Sequence, residues 1–254
     1  MVMSTKPPEG GAPLQAVVLA GGLATRMWPR TERVPKLLLP VGGRPFADRL
    51  LERLVGCGLR DVVLCIGHLG DRIRDHVGDG SALGARVTCS DEGEARLGTA
   101  GALRLALPLL ADRFLVTYGD SFLPFDYAAP LRDLAAHPEA LGTMAVYRNA
   151  DVLDASNTVV SGERVVRYLK RAAGEPRGAD MDHIDYGATA LRREVVEGLA
   201  PDAPLDLSTV QARLAEQGRL RAFHAAERFF EIGSEAGLRD LEAHLAAAGA
   251  TGRA

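Results

Sequence analysis

Apolar residues in this chain fall into short continuous runs, separated by segments whose apolar positions recur at helical spacing. Residues 16–20, 61–67 (DVVLCIG), 85–89 and 113–118 (RFLVTY) are such runs, rich in Val, Leu and Ile. Runs of that length without strict alternation predict strands buried on both faces. Between them, residues 45–55 place Phe46, Leu50, Leu51, Leu54 and Val55 on one helical stripe, and 71–77 and 99–110 read as two further helices. Strand alternating with helix implies a parallel sheet flanked by helices. Later the pattern becomes mixed. Residues 143–147 and 185–191 predict strands, and 158–160 with 164–169 predict a hairpin turning at Ser161-Gly162. A helix is expected over 207–217, capped by Asp206 or Ser208. A strand over 220–232 and a closing helix over 235–247 complete the pattern.

Composition narrows the class. The 254 residues are 47% apolar and 25% charged, enough for a sizeable core. The formal net charge of −3 argues against a surface that coats nucleic acid. Cys57, Cys65 and Cys89 lack paired spacing and have apolar neighbours, which predicts reduced, buried thiols and a cytoplasmic protein. No apolar run reaches membrane-spanning length, so no membrane partner is expected. Residues 1–13 read as a disordered leader, and the tail 249–254 as frayed. The pattern leaves a homo-oligomer open.

The candidate chemistry clusters at predicted strand ends, where ligands of such sheets bind. The first strand stops at Leu19-Ala20-Gly21-Gly22, where the backbone can bend and bring its N–H groups close to a ligand. Thr25 and Arg26 follow, and Lys36 lies between Pro35 and the next apolar run. A glycine turn with two cations is suited to a polyphosphate: Arg offers a planar fork and Lys a compact charge. Asp91 and Asp120 also follow strand ends, the latter in Tyr118-Gly119-Asp120. Gly98 and Thr99, in LGTAG, open a helix that Thr99 could cap. By themselves these features also fit ordinary turns and caps.

The full string from Leu14 to Val41 resembles the signature of the sugar-1-phosphate nucleotidylyltransferases, GGxGTRxxPxT followed by PKxLxPV. Gly21, Gly22, Thr25, Arg26, Pro29, Thr31, Pro35, Lys36, Leu38, Pro40 and Val41 all fall in register. Ala24 departs, standing where the family usually has a third glycine; a positive φ there would strain it. The resemblance runs to about residue 245. It is strongest to the compact bacterial branch that includes heptose-1-phosphate guanylyltransferases and N-acetylmuramate-1-phosphate uridylyltransferases.

That resemblance implies a Rossmann-like α/β fold, the nucleotide-diphospho-sugar transferase fold, with a small mixed β region on the sugar side. It implies one nucleotidyltransferase domain over 14–250, with a nucleotide-binding half at 14–125 and a sugar-phosphate half at 126–250. It implies an enzyme that joins a nucleoside triphosphate to a sugar 1-phosphate, a heptose or hexose 1-phosphate being favoured, and releases pyrophosphate. Arg26, Lys36 and Asp120 would be catalytic. Leu19, Ala20, Gly21, Gly22, Thr25, Arg26, Asp91, Gly98 and Thr99 would bind the nucleotide. Asn157, Lys170, Asp185 and Gly187 would bind the sugar phosphate. Asp120 and Glu231 would hold Mg²⁺, with Glu231 standing where the family has Asp. The alternatives are a cytidylyltransferase acting on a non-sugar phosphate or phosphonate, and a weakly catalytic regulatory subunit that binds nucleotide sugars.

Overall fold

A computed structural model describes residues 14–171, 175–176, 178–201 and 204–251. The expected leader at 1–13 and the end of the expected frayed tail, 252–254, lie outside the described residues. Helix α7 covers the tail's earlier part to Thr251.

The order of elements is β1 (Gln15–Leu19), β2 (Pro40–Val41), β3 (Arg44–Pro45), α1 (Phe46–Gly56), β4 (Asp61–Ile66), α2 (Gly70–Val77), β5 (Arg86–Asp91) and α3 (Gly98–Leu105). Then come β6 (Arg113–Tyr118), β7 (Ser121–Phe122), α4 (Ala129–Ala136), β8 (Gly142–Arg148), β9 (Thr158–Ser161), β10 (Arg164–Tyr168) and β11 (His183–Arg192). The chain closes with α5 (Arg193–Glu197), α6 (Leu207–Glu216), β12 (Leu220–His224), β13 (Phe230–Glu231) and α7 (Glu235–Thr251).

Nine strands form one sheet in the order β5-β4-β1-β6-β11-β8-β12-β10-β9. The first four run parallel, as the apolar runs predict. β11 then enters antiparallel to β6, pairing Ala188 with Thr117 and Arg192 with Arg113. Beyond it only β8 and β12 are parallel neighbours. The mixed region is thus a continuation of the same sheet and supplies more than half of its strands. Every residue of β1 is buried, because helices cover both faces. One apolar layer packs α1, α2, α4 and α7 beneath the sheet around Phe46, Leu50, Leu54 and Leu241. The other packs α3, α5 and α6 above it around Leu103, Val195, Val210 and Leu214.

Five local expectations need correction. The helix expected over 99–110 stops at Leu105, and a single 3-10 turn at Leu107–Leu109 follows. Pro108 lacks the N–H that a continuing helix needs. The strand expected over 220–232 is two strands: β12 ends at His224 in the main sheet, while β13 pairs with β7 in a separate ribbon. Neither Asp206 nor Ser208 caps α6 with its side chain. Thr99, expected to cap its own helix, instead accepts the Leu207 N–H at 2.7 Å, joining α3 to the start of α6. The three thiols are free, as expected, but only Cys65 is buried; Cys57 and Cys89 are half-buried.

Candidate active site

At the carboxyl edge of the parallel strands lies an open cavity of about 1040 Å³. Its floor includes Leu19, Ala20, Gly21 and Gly22 after β1, Asp91 after β5, and Gly119-Asp120 after β6. This is the crevice that a parallel sheet leaves where neighbouring connections depart in opposite directions. Gly98 and Thr99 face it from the start of α3, and Asp206 from the approach to α6.

Gly21 and Gly67 pack closely against the Glu92 side chain, whereas a Cβ on Gly22 would meet nothing within 4 Å. A Cβ on Gly21 would lie 2.5 Å from Glu92 Oε1, and one on Gly67 would lie 3.0 Å from Glu92 Cγ. Glu92 thus rests against the turn, and its Oε2 accepts the Leu97 N–H at 3.2 Å. Burial raises its carboxyl, the Leu97 N–H opposes this, and Asp91 adds to the rise. Asp91, the residue singled out from the sequence, accepts an N–H of Arg74 at 2.6 Å and the Gly93 N–H at 2.8 Å. Glu92 is therefore the carboxylate laid over the glycine turn, while Asp91 is anchored to α2. The acidic triplet 90–92 marked the place; only the tertiary contacts separate the two roles.

After the turn, Ala24 adopts φ 51° and ψ 37°, the left-handed conformation. An alanine there costs about 1–2 kcal/mol relative to right-handed backbone. Its carbonyl accepts the Thr31 hydroxyl at 2.7 Å, and Thr31 is buried, so the strained corner is tied from inside. Thr25 and Arg26 are exposed beyond it. Lys36 opens a 3-10 turn and reaches back into the cavity, where its Nζ lies 2.6 Å from Asp120 Oδ2. Arg26 converges on the same place from the other side. A Cβ on Gly233 would lie 3.5 Å from Lys36 Nζ and 3.7 Å from an Arg26 Nη.

The small β7–β13 ribbon brings the late segment to this point. Glu231 pairs with Ser121, and the Ile232 N–H donates to the Asp120 carbonyl at 2.9 Å. Glu231 is exposed as a residue. Desolvation nevertheless pushes its carboxyl up to about 7; Asp120 and Asp154 add to the rise, and Lys36 and Arg26 oppose it. Glu231 and the Asp120 carboxylate that raises it form an oxygen-only donor set, which suits a hard divalent cation. Among the described residues, no group of three or more His, Cys, Asp or Glu gathers to hold a metal, so Asp120 and Glu231 stand as a pair.

Asn157, Lys170, Asp185 and Gly187 are not among the residues that line the cavity. Lys170 is paired with Asp206 at 3.1 Å. Asn157 turns inward: its Oδ1 accepts the Asp185 N–H at 2.8 Å and the Thr158 hydroxyl at 2.7 Å, so that oxygen is already engaged by the protein. Gly187 sits in a bulge of β11 at φ 94°, a conformation glycine adopts without penalty. Thr117 donates to its carbonyl, and the Asp185 carboxylate accepts its N–H. Tyr186 belongs to the core, at 1% exposure. The sequence assigns Gln211 and Arg74 no role and Asp206 only that of a helix cap, since each acts through a partner distant along the chain.

Asp185 has a measurable consequence. Burial pushes its carboxyl up to about 6, against the Gly187 and Gln211 hydrogen bonds that favour the charged form. In the unfolded chain an Asp titrates near ~3.9. Between about pH 4 and 6 the folded state therefore binds more protons than the unfolded one, and stability falls as pH rises through that window. Urea denaturation across about pH 4–7 should show a decline of about 1–3 kcal/mol in wild type. Asp185→Asn should shrink the decline, leaving the part that the raised Glu231 carboxyl contributes; an equal slope in both proteins would contradict the assignment.

The chain belongs to the nucleotidyl transferase family, which matches residues 15–156, more than half of its length. Within that family it is related to the sugar-1-phosphate nucleotidylyltransferases, as the signature string implied. The N-acetylmuramate alpha-1-phosphate uridylyltransferase of Neisseria meningitidis serogroup B is 39% identical over 127 residues, 50% of this chain and 55% of that protein. The protein of the same name from Caulobacter vibrioides is 27% identical over 246 residues, 93% of this chain and 99% of that protein. Among solved structures, a putative glucose-1-phosphate thymidylyltransferase from Bacillus anthracis superposes with a TM-score of 0.78. It is 21% identical and covers 91% of this chain and 94% of its own, a likeness of fold that agrees with the nucleotide-diphospho-sugar transferase architecture. Among the described residues, no helix is long and apolar enough to cross a membrane.

Proposed function

We propose that this protein transfers a nucleotidyl group from a nucleoside triphosphate to a sugar 1-phosphate, a heptose or hexose 1-phosphate being favoured, and releases pyrophosphate. The observation that carries this reading is the Lys36 ammonium set 2.6 Å from Asp120, at the mouth of a glycine turn and with Arg26 converging on the same point. The transfer is an in-line displacement at phosphorus, which asks the protein mainly for positioning and charge neutralisation.

In this reading the turn at Gly21-Gly22 and the Gly98-Thr99 corner hold the nucleoside in the cavity. Arg26 holds the departing pyrophosphate. Lys36 exchanges its bond to Asp120 for the α-phosphate and steadies the incoming phosphate oxygen beside it. Lys170 leaves Asp206 to orient the sugar phosphate, and the Asn157–Asp185–Gly187 bulge receives the sugar. Asp120 and Glu231 would hold Mg²⁺, which would supply Lewis-acid stabilisation of phosphate charge. The three free thiols accord with a reducing, cytoplasmic setting.

The test is pyrophosphate release from each of the four common nucleoside triphosphates with Mg²⁺ and a panel of sugar 1-phosphates. One triphosphate should be turned over at least about 100-fold better with its acceptor than without. Nucleotide binding with no pyrophosphate from any combination would favour a regulatory binding protein instead.

A further inference from the structure

The acceptor side holds a carboxylate whose charge no described side chain balances. Asp185 is half-buried where β11 bulges. Its Oδ1 accepts the Gly187 N–H at 3.0 Å and its Oδ2 accepts the Gln211 amide at 3.2 Å; both donors are neutral. Among the described residues no Lys, Arg or His forms an ion pair with it, and Lys170 is committed to Asp206. Tyr118 and Tyr168 flank the carboxylate: burial first, then the charge of Asp185, raises both phenols. Tyr118 also lines the cavity, as does Asp206, the partner of Lys170.

The same corner has spare acceptor capacity. An ionised carboxylate accepts about four hydrogen bonds, and the protein supplies two. Gln211 is 1% exposed, and its Oε1 has no partner. An asparagine at 185 would keep the Gly187 bond through its amide oxygen; Gln211 Nε2 is also held by Thr189 Oγ1 at 3.1 Å. Keeping a carboxylate unpaired in such a place is unfavourable unless a ligand supplies the missing donors.

We propose that Asp185 selects acceptors that carry a primary amine, whose ammonium group completes the corner between Tyr118, Tyr168 and Gln211. This rests on the transfer reading above. An ammonium offers three donors and the absent positive charge, and aromatic flanks favour a desolvated cation. The amine could be that of an amino-sugar 1-phosphate or of an aminoalkyl phosphonate, and paired acceptors separate the two sources.

The experiment measures pyrophosphate release by the full chain with Mg²⁺ and each nucleoside triphosphate. The acceptor pairs are glucosamine 1-phosphate against glucose 1-phosphate, and 2-aminoethylphosphonate against 2-hydroxyethylphosphonate. In at least one pair the amine should exceed its hydroxyl counterpart in kcat/KM by about tenfold or more. Asp185→Asn, checked for fold by circular dichroism, should bring that ratio to about one and leave the KM for the triphosphate unchanged. The wild-type comparison stands even if the variant fails to fold. Equal or better use of the hydroxyl compounds, or an amine preference that survives Asp185→Asn, overturns the proposal. So does calorimetric binding of a triphosphate with no amine turned over. Absence of both triphosphate binding and pyrophosphate release defeats the transfer reading itself, and this inference with it.

Discussion

Replacing Lys36 with alanine should lower kcat by about 100–1000-fold while leaving the thermal midpoint within a few degrees of wild type. The side chain is 15% exposed and makes its bond to Asp120 across the cavity, outside the two apolar layers. Its removal takes one cation from a centre where Asp120 and Glu231 already oppose one another. Asp120→Ala should produce a loss of similar size, because Lys36 then lacks its anchor and one of the two proposed metal ligands is gone. The double variant should be little worse than either single one, as groups acting as a unit are strongly non-additive. Single-turnover measurements at saturating triphosphate provide the check. Near wild-type turnover in either single variant would remove this centre from the chemistry.

Gly98→Ala should be strongly destabilising, because a clash with fixed backbone is added to a left-handed φ. Gly98 has φ 72°, and a Cβ there would lie 2.6 Å from the Leu205 carbonyl oxygen and 2.9 Å from its carbon. That obstacle is backbone held by its own bonds: Leu205 donates to the Leu97 carbonyl, and its oxygen accepts from Ala100 and Gly101. No side chain can swing away to make room. Left-handed strain of about 1 kcal/mol and overpacking of about 1–3 kcal/mol both oppose folding. A loss of about 2–4 kcal/mol would lower the melting temperature by roughly 5–15 °C in a chain of this size. Calorimetry would show it, and the KM for the triphosphate should rise because the corner lines the cavity. A melting temperature within about 2 °C of wild type would mean that α3 and α6 are less firmly joined than the structure indicates.

The strands of the parallel half could be read from sequence because burial on both faces leaves only apolar runs, as in β1 and β4. The glycine turn and the cations after it were legible for a related reason: backbone that must bend or approach another group closely admits few residue types. What the sequence hid was set by partners far along the chain. Thr99 has the composition of a cap, yet it bonds to Leu207. Asp91 and Lys170 look like free ligands, yet each is engaged by an opposite charge. The segment 220–232 has strand-forming residues at both ends, but 225–229 between them is not strand and its two ends pair in different sheets. Helix α4 escaped notice because it is short and opens with Pro130; its buried face is Pro130, Leu131 and Leu134.

The long strand β11 hydrogen-bonds to β6 at one end and to β8 along its length, with a touch on β9 at His183. Cutting the gene near codon 125 would therefore strand β6 with a raw edge and an uncovered apolar face. Anyone wishing to graft a foreign module onto the proposed nucleotide site must import a replacement for β11 whose rungs match Arg113–Thr117. Specificity can be exchanged here only together with that seam.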